Sequence, residues 1–261
     1  MHLDYPMKKN GMYIIKKREF DDIGEEILSE YMPDVLEYPK AVDIMNLATE
    51  CLYLDVKDMY ITQDGSILGM IAFDDIEFTG YDIGFDEETV KLSAGTVLID
   101  YSLWGNSNIG RRRYTLAHEC SHWICHRPYH SPDKRTFEFR KNEARSLIAC
   151  RSENIEGVRS ASAYSNYDDS DWEEWQADSL AAAILMPRKT FARAFSYAMY
   201  EEGVRLRYLI KGDDIKTERR VIHRLTEIFE VSHKAAEIRL RTLGLLRECS
   251  YDGRYDYVVW R

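Results

Sequence analysis

Two histidines four residues apart, with a glutamate directly after the first, form the run His118-Glu119-Cys120-Ser121-His122. On a helix, residues i and i+4 share a face with Cβ atoms about 5–6 Å apart. Both imidazoles can then reach one zinc ion at about 2.0–2.1 Å. Glu119 is turned aside from that face. A carboxylate there can take a proton from the attacking water and hand it to a leaving amine. Taken alone the pattern is only moderately specific, because a helix can carry two packed or solvated histidines by chance.

A catalytic zinc needs a third protein ligand and an open fourth position. The extension H-x-x-G-x-x-H does not supply it, since Cys125 and Pro128 stand where its glycine and last histidine would be. The ligand must come from elsewhere, and the best supplier is a second helical run, Trp172 to Met186. Glu174 and Asp178 are four apart and share a face there. Glu174 is the expected ligand, and Asp178 is placed to accept a hydrogen bond from a ligand histidine and fix its tautomer. The competing role for Glu174 is a capping box with Asp171 as N-cap. Ser170 with Glu173 offers the same motif without it. Glu173 is the weaker alternative ligand, having no acid four residues on, and Gln176 is uncharged.

Other residues carry softer signals. His126 continues the stripe of His118 and His122 but lies about 12 Å along the axis from His118, and reads as a histidine at a helix C-terminus. Tyr114, Tyr129 and His130 are candidate donors to an oxyanion, with ordinary packing as the equal alternative. Cys120 and Cys125 read as small core fillers. Arg111-Arg112-Arg113 reads as a solvated face or an orienting site for a substrate acid.

The elements that must position these groups follow from periodicity. Residues 18–37 place Phe20, Ile23, Ile27, Leu28 and Tyr31 at helical spacing until Pro33. A second helix is expected over 41–49. Runs at 52–59, 67–73, 76–81 and 96–101, punctuated by Gly and Asp, predict a small, largely antiparallel sheet. The His118 helix is expected from about 112 to 126, stopped by Pro128. Residues 127–171 are polar apart from an apolar island at 147–150. The chain beyond 187 reads as helical to about 246, with a strand over 251–260. The fold class is α+β: a small twisted sheet packed on the His118 helix, then the Glu174 helix and a C-terminal helical region.

Composition sets the outer bounds. The chain has 261 residues, 45% of them hydrophobic, enough for a full core. Five scattered cysteines without CxxC spacing suit free thiols in a reducing compartment. No run is apolar enough for a signal peptide or a membrane span, so a cytoplasmic, soluble protein is expected. The net charge of -10 argues against binding nucleic acid by general electrostatics. Residues 203–241 are nevertheless locally basic.

Three stretches resemble the ImmA/IrrE family of metallo-endopeptidases. They are Arg113-Tyr114-Thr115-Leu116-Ala117-His118-Glu119-Cys120-Ser121-His122, the run from Glu174-Trp175-Gln176-Ala177-Asp178 to Leu185-Met186-Pro187, and Val231-Ser232-His233-Lys234-Ala235-Ala236 with Arg239-Leu240 and Leu243-Gly244-Leu245. Order and spacing agree over roughly residues 20–247. The resemblance implies a gluzincin-like zinc peptidase with His118, His122 and Glu174 on the metal and Glu119 as general base. It also implies cleavage of a helix-turn-helix (XRE-type) repressor, derepressing mobile-element or stress genes. Two departures stand out: Ser121 replaces the usual glycine, and about 50 residues separate His122 from Glu174.

The expected organisation is a peptidase domain over 1–190, a helical region over 191–247, and a tail over 248–261. Within the helical region, Phe229-Glu230-Val231-Ser232 resembles the turn of a helix-turn-helix, with Ser232 as N-cap and Glu230 where such turns prefer glycine. One reading is DNA contact through Lys234, Arg239 and Arg241; the favoured one is a helical pair packed on the rest. Two further functions stay open: a DNA- or repressor-binding module whose zinc is structural or vestigial, and a hydrolase of non-peptide substrates.

Overall fold

The computed structural model describes residues 3–130, 147–151 and 168–248. The strand expected over 251–260, and most of the polar stretch before Asp168, lie outside the described residues. The chain is mixed α/β, with small sheets of few strands. No helix among the described residues is long and apolar enough to cross a membrane.

Helix α1, Glu19–Tyr31, buries Phe20, Ile23, Ile27 and Leu28 on one face, as their spacing requires. It stops before Pro33, and one further turn follows as α2, Asp34–Glu37. The helix expected over 41–49 is shorter and wider than predicted. Asp43 caps a single turn, α3 (Ile44–Asn46), which opens into a π-turn over Leu47–Cys51.

The four expected strand runs form β1 (Asp55–Met59), β2 (Ile67–Ala72), β3 (Ile76–Tyr81) and β5 (Thr96–Asp100). A further strand, β4 (Glu87–Leu92), pairs with β3 in a separate hairpin. It escaped the sequence reading because only Leu92 is buried, so no apolar alternation marks it. The main sheet has the order β1-β5-β2-β6, with β6 at Leu147–Arg151. Strand β2 is antiparallel to both neighbours, whereas β1 and β5 run parallel. The apolar island at 147–150 is thus a strand on the flank of β2.

The two helices that carry the candidate ligands are α4 (Ile109–His130) and α5 (Asp169–Leu185), packed along each other. The opposite side of α4 meets β2 and β5. Helix α4 is longer at both ends than expected and passes through Pro128. Proline removes one N–H bond and crowds the preceding turn. Here only the last turn is affected, and Tyr129 and His130 are both buried beyond it. The His130 ring stacks on Phe73 and binds the Glu173 carboxylate, contacts that offset the lost bond.

Helices α6 (Arg188–Glu201), α7 (Ile215–Phe229) and α8 (His233–Thr242) complete the described chain, with a short parallel pair, β7 (Leu209–Ile210) and β8 (Leu246–Arg247). Ser232 caps α8 as expected, accepting from the Ala235 N–H. Glu230 adopts left-handed backbone, φ 50° and ψ 48°, where glycine would be unstrained. Arg113 of α4 clamps this turn, donating to the Glu230 carbonyl at 3.1 Å and to the Val42 carbonyl at 2.6 Å.

The arginines correct one expectation, the solvated face, and agree with the favoured packed reading of the C-terminal helical pair. Arg112 and Arg113 are not a solvated face: Arg112 makes a bidentate pair with Asp58, and Arg113 holds the α7–α8 turn. Arg239 does not face outward for DNA. It is buried, donating to the Met186 carbonyl at 3.0 Å and to Asp21 at 2.5 Å, which ties α8 to α1 and to the end of α5. Arg241 pairs with Glu237 and Glu248. Of the three cations proposed for DNA, two are engaged within the protein.

Candidate metal centre

Helix α4 has three functional sides because its residue types are sorted around it. Leu116, Ala117, Cys120 and Ile124 enter the hydrophobic core, and burial pushes the Cys120 thiol well above its ordinary range. The expected core-filling role of Cys120 and Cys125 thus fits their burial. Glu119 points toward β2. His118, His122, His126 and His130 recur every four residues along the third side and are all buried.

Helix α5 answers that histidine stripe in antiparallel order. Asp178 meets His118, Glu174 meets both His118 and His122, Gln176 meets His126, and Glu173 meets His130. The sequence offered each half of this seam as i, i+4 spacings, but nothing in it set the register between two helices whose contacting residues are 43 to 60 positions apart. The cap of α5 also differs from expectation. Asp168 is the N-cap, accepting from the Asp171 N–H at 2.8 Å, which leaves Glu174 out of any capping role.

His118, His122 and Glu174 form a group whose donor atoms all lie within 4.8 Å of one another, and which could hold a metal ion. The two Nε2 atoms are 2.9 Å apart. Glu174 Oε2 is 3.5 Å from His118 Nε2, and its Oε1 is 3.6 Å from His122 Nε2. Donors about 2.05 Å from a shared tetrahedral centre stand about 3.3 Å apart. The observed spacings bracket that value, so the residues fit a small divalent cation.

The hydrogen-bond partners aim these lone pairs. Asp178 Oδ1 lies 3.0 Å from His118 Nδ1, which places the ring hydrogen on Nδ1 and turns the Nε2 lone pair inward. On His122, Nδ1 faces Nδ1 of His126 at 3.0 Å. Burial pushes the His122 pKa well down and takes that of His126 to about 3, so neither ring holds a second proton at neutral pH.

Glu119 is fully buried, and neither carboxylate oxygen has a hydrogen-bond partner among the described residues. Burial is the main cause that lifts its pKa to about 8, opposed by His118 and aided by Glu174. A carboxyl group poised near neutrality can both take and give a proton. Strand β2 comes close at this point: a Cβ on Gly69 would lie 2.8 Å from Glu119 Oε1 and 2.4 Å from Thr115 Cγ2. Glycine permits that approach.

The remaining candidates have other partners. The Tyr114 hydroxyl lies 3.3 Å from Asp178 Oδ1, so it supports the partner of His118. Glu173, the weaker alternative ligand, is paired with His130, and Tyr129 packs edge-on against the same ring. His126 is not at a helix end but in the middle of the seam. Gln176 and Gly69 were missed as members of the site. The four-residue histidine stripe was the available signal for Gln176, whereas Gly69 carried none. No family model and no curated protein matches this chain, so its likeness to the ImmA/IrrE peptidases rests on the three motifs alone.

Proposed function

We propose that this protein is a zinc-dependent endopeptidase of the ImmA/IrrE kind, with a small sheet against the His118 helix and the Glu174 helix completing the site. The observation that carries the reading is the convergence of His118, His122 and Glu174, with a Glu119 carboxyl group that has no hydrogen-bond partner among the described residues on the next side of the same helix. Two imidazoles and one carboxylate are a donor set that suits zinc. Bound there, the ion supplies Lewis acidity, making water more acidic and polarising a substrate carbonyl.

The protein's own groups do the rest. Glu119 accepts the proton of the attacking water and returns it to the departing amine. Asp178 holds His118 in one tautomer and orientation, so the ligand does not have to reorganise during the reaction. The substrate class, a helix-turn-helix (XRE-type) repressor, is suggested by the resemblance of the three motifs.

The test is co-incubation with the product of a neighbouring repressor gene, with and without chelator, followed by mass spectrometry of fragments. Wild-type protein is expected to cut at a defined bond, and chelator to stop it. Glu119→Gln is expected to keep one zinc per chain and lose cleavage, and His122→Ala to lose both. Wild-type protein purified without chelators and found to carry no zinc would reject the reading.

A further inference from the structure

We propose that Gln176 and His126 are positioning residues that set the tautomer of His122 from the main-chain carbonyl of Tyr13. The inference rests on the metal-site reading above and adds to it a relay of three hydrogen bonds ending at one ligand.

The relay starts at a group that can only accept. The Tyr13 carbonyl lies 2.8 Å from the Gln176 side-chain nitrogen. A flipped amide would set oxygen against oxygen, so the nitrogen faces Tyr13 and Oε1 faces the other way. Oε1 is 3.1 Å from His126 Nε2 and must accept there. His126 therefore carries its hydrogen on Nε2.

The next link follows from counting hydrogens. His122 Nδ1 and His126 Nδ1 are 3.0 Å apart and need one hydrogen between them. A neutral His126 has already placed its hydrogen on Nε2, so His122 supplies the one at Nδ1. That leaves the His122 Nε2 lone pair directed at His118 Nε2 and Glu174. Were the chain reversed, His122 would carry hydrogen on Nε2 and its ligand atom would be blocked.

Burial makes the relay binding. Gln176, His122 and His126 are fully buried, and Tyr13 is 1% exposed. An unpaired donor or acceptor in such a place is costly, so each link enforces the next. Histidine ligands ordinarily rest on a carboxylate or carbonyl. His118 follows that habit through Asp178, whereas His122 is supported by a second imidazole and an amide. The N-terminal segment containing Tyr13 thereby acquires a role in the site.

The experiment uses full-length protein labelled with 15N at histidine and loaded with zinc. Expected are a hydrogen on Nδ1 of His122, a hydrogen on Nε2 of His126, and scalar coupling between the two Nδ1 atoms across the shared hydrogen. Competition with a chromophoric chelator then measures zinc affinity. Gln176→Leu, which removes the acceptor, is expected to weaken binding about 10–100-fold. A hydrogen on Nδ1 of His126, or a folded Gln176→Leu protein that binds zinc like wild type, overturns the relay. If Gln176→Leu does not fold, the wild-type coupling decides alone. Should wild-type protein take up no zinc, the metal-site reading falls, and the relay is still judged by the ring hydrogens of the metal-free protein.

Discussion

His118 Nδ1 and Asp178 Oδ1 stand 3.0 Å apart, joining two helices whose contacting residues are 60 positions distant in sequence. Because Asp178 lies one turn beyond Glu174 on α5, one short helical stretch supplies both a candidate ligand and the support of another. Asp178→Ala is expected to lower zinc affinity about 10–100-fold. Chelator competition reads the change, and an affinity equal to wild type would show that His118 needs no such support.

Gly69 offers a way to disturb Glu119 while leaving the ligands in place. In Gly69→Ala the new methyl group would meet the Thr115 and Glu119 side chains at 2.4 and 2.8 Å, so these side chains or the strand must shift. A loss of about 1–3 kcal/mol in stability is expected, as for other overpacked sites. Cleavage should fall well beyond what unfolding explains, with zinc content unchanged. Wild-type turnover in a fully folded variant would contradict the close packing of β2 on α4.

The pH dependence of Glu119 has a definite sign. Burial raises its pKa from the ordinary 4.5 to about 8, so between these values the folded chain holds a proton that the unfolded chain has released. Its contribution to stability is complete below the ordinary carboxylate range and is lost as pH rises through about 8. Glutamine does not titrate. The stability of metal-free Glu119→Gln relative to metal-free wild type is therefore expected to grow from pH 4 to pH 9, by on the order of a few kcal/mol. Urea midpoints across that range measure the gap, and a gap independent of pH would contradict the assignment.

Arg239 separates structural from DNA-binding roles. Its side chain is 3% exposed and satisfies both Met186 and Asp21. Removing one partner of a buried pair costs about 3–5 kcal/mol. Arg239→Ala should thus shift the denaturation midpoint strongly. A folded Arg239→Ala protein of wild-type stability would argue for the outward-facing alternative.

Glu230 occupies left-handed backbone with its side chain 49% exposed. Glu230→Gly removes that strain and leaves the Arg113 bond to the main-chain carbonyl available. Stabilisation of up to about 1 kcal/mol is expected, read as a rise in Tm. A fall in Tm would show that the Arg113–Glu230 ion pair outweighs the backbone term.

The local elements of this site follow from residue order and spacing. The four-residue spacing of His118 and His122, the Glu174–Asp178 pair and the apolar residues around them specified two helices and the groups each would present, because side-chain direction on a helix follows from spacing alone. The same logic placed α1 and four of the eight described strands, and failed where signals were weak: the exposed hairpin strand β4, the two-residue strands β7 and β8 in a stretch read as helical, the Asp168 cap, and the turn that carries α4 through Pro128. Tertiary structure decided the antiparallel register of α4 against α5, and with it which acid meets which histidine. It also decided that Gly69 lies against Glu119, that Tyr13 fixes the Gln176 amide, and that Arg239 is internal. These facts depend on packing between segments far apart in the chain, where shape and burial choose the partners and residue spacing carries no information about them.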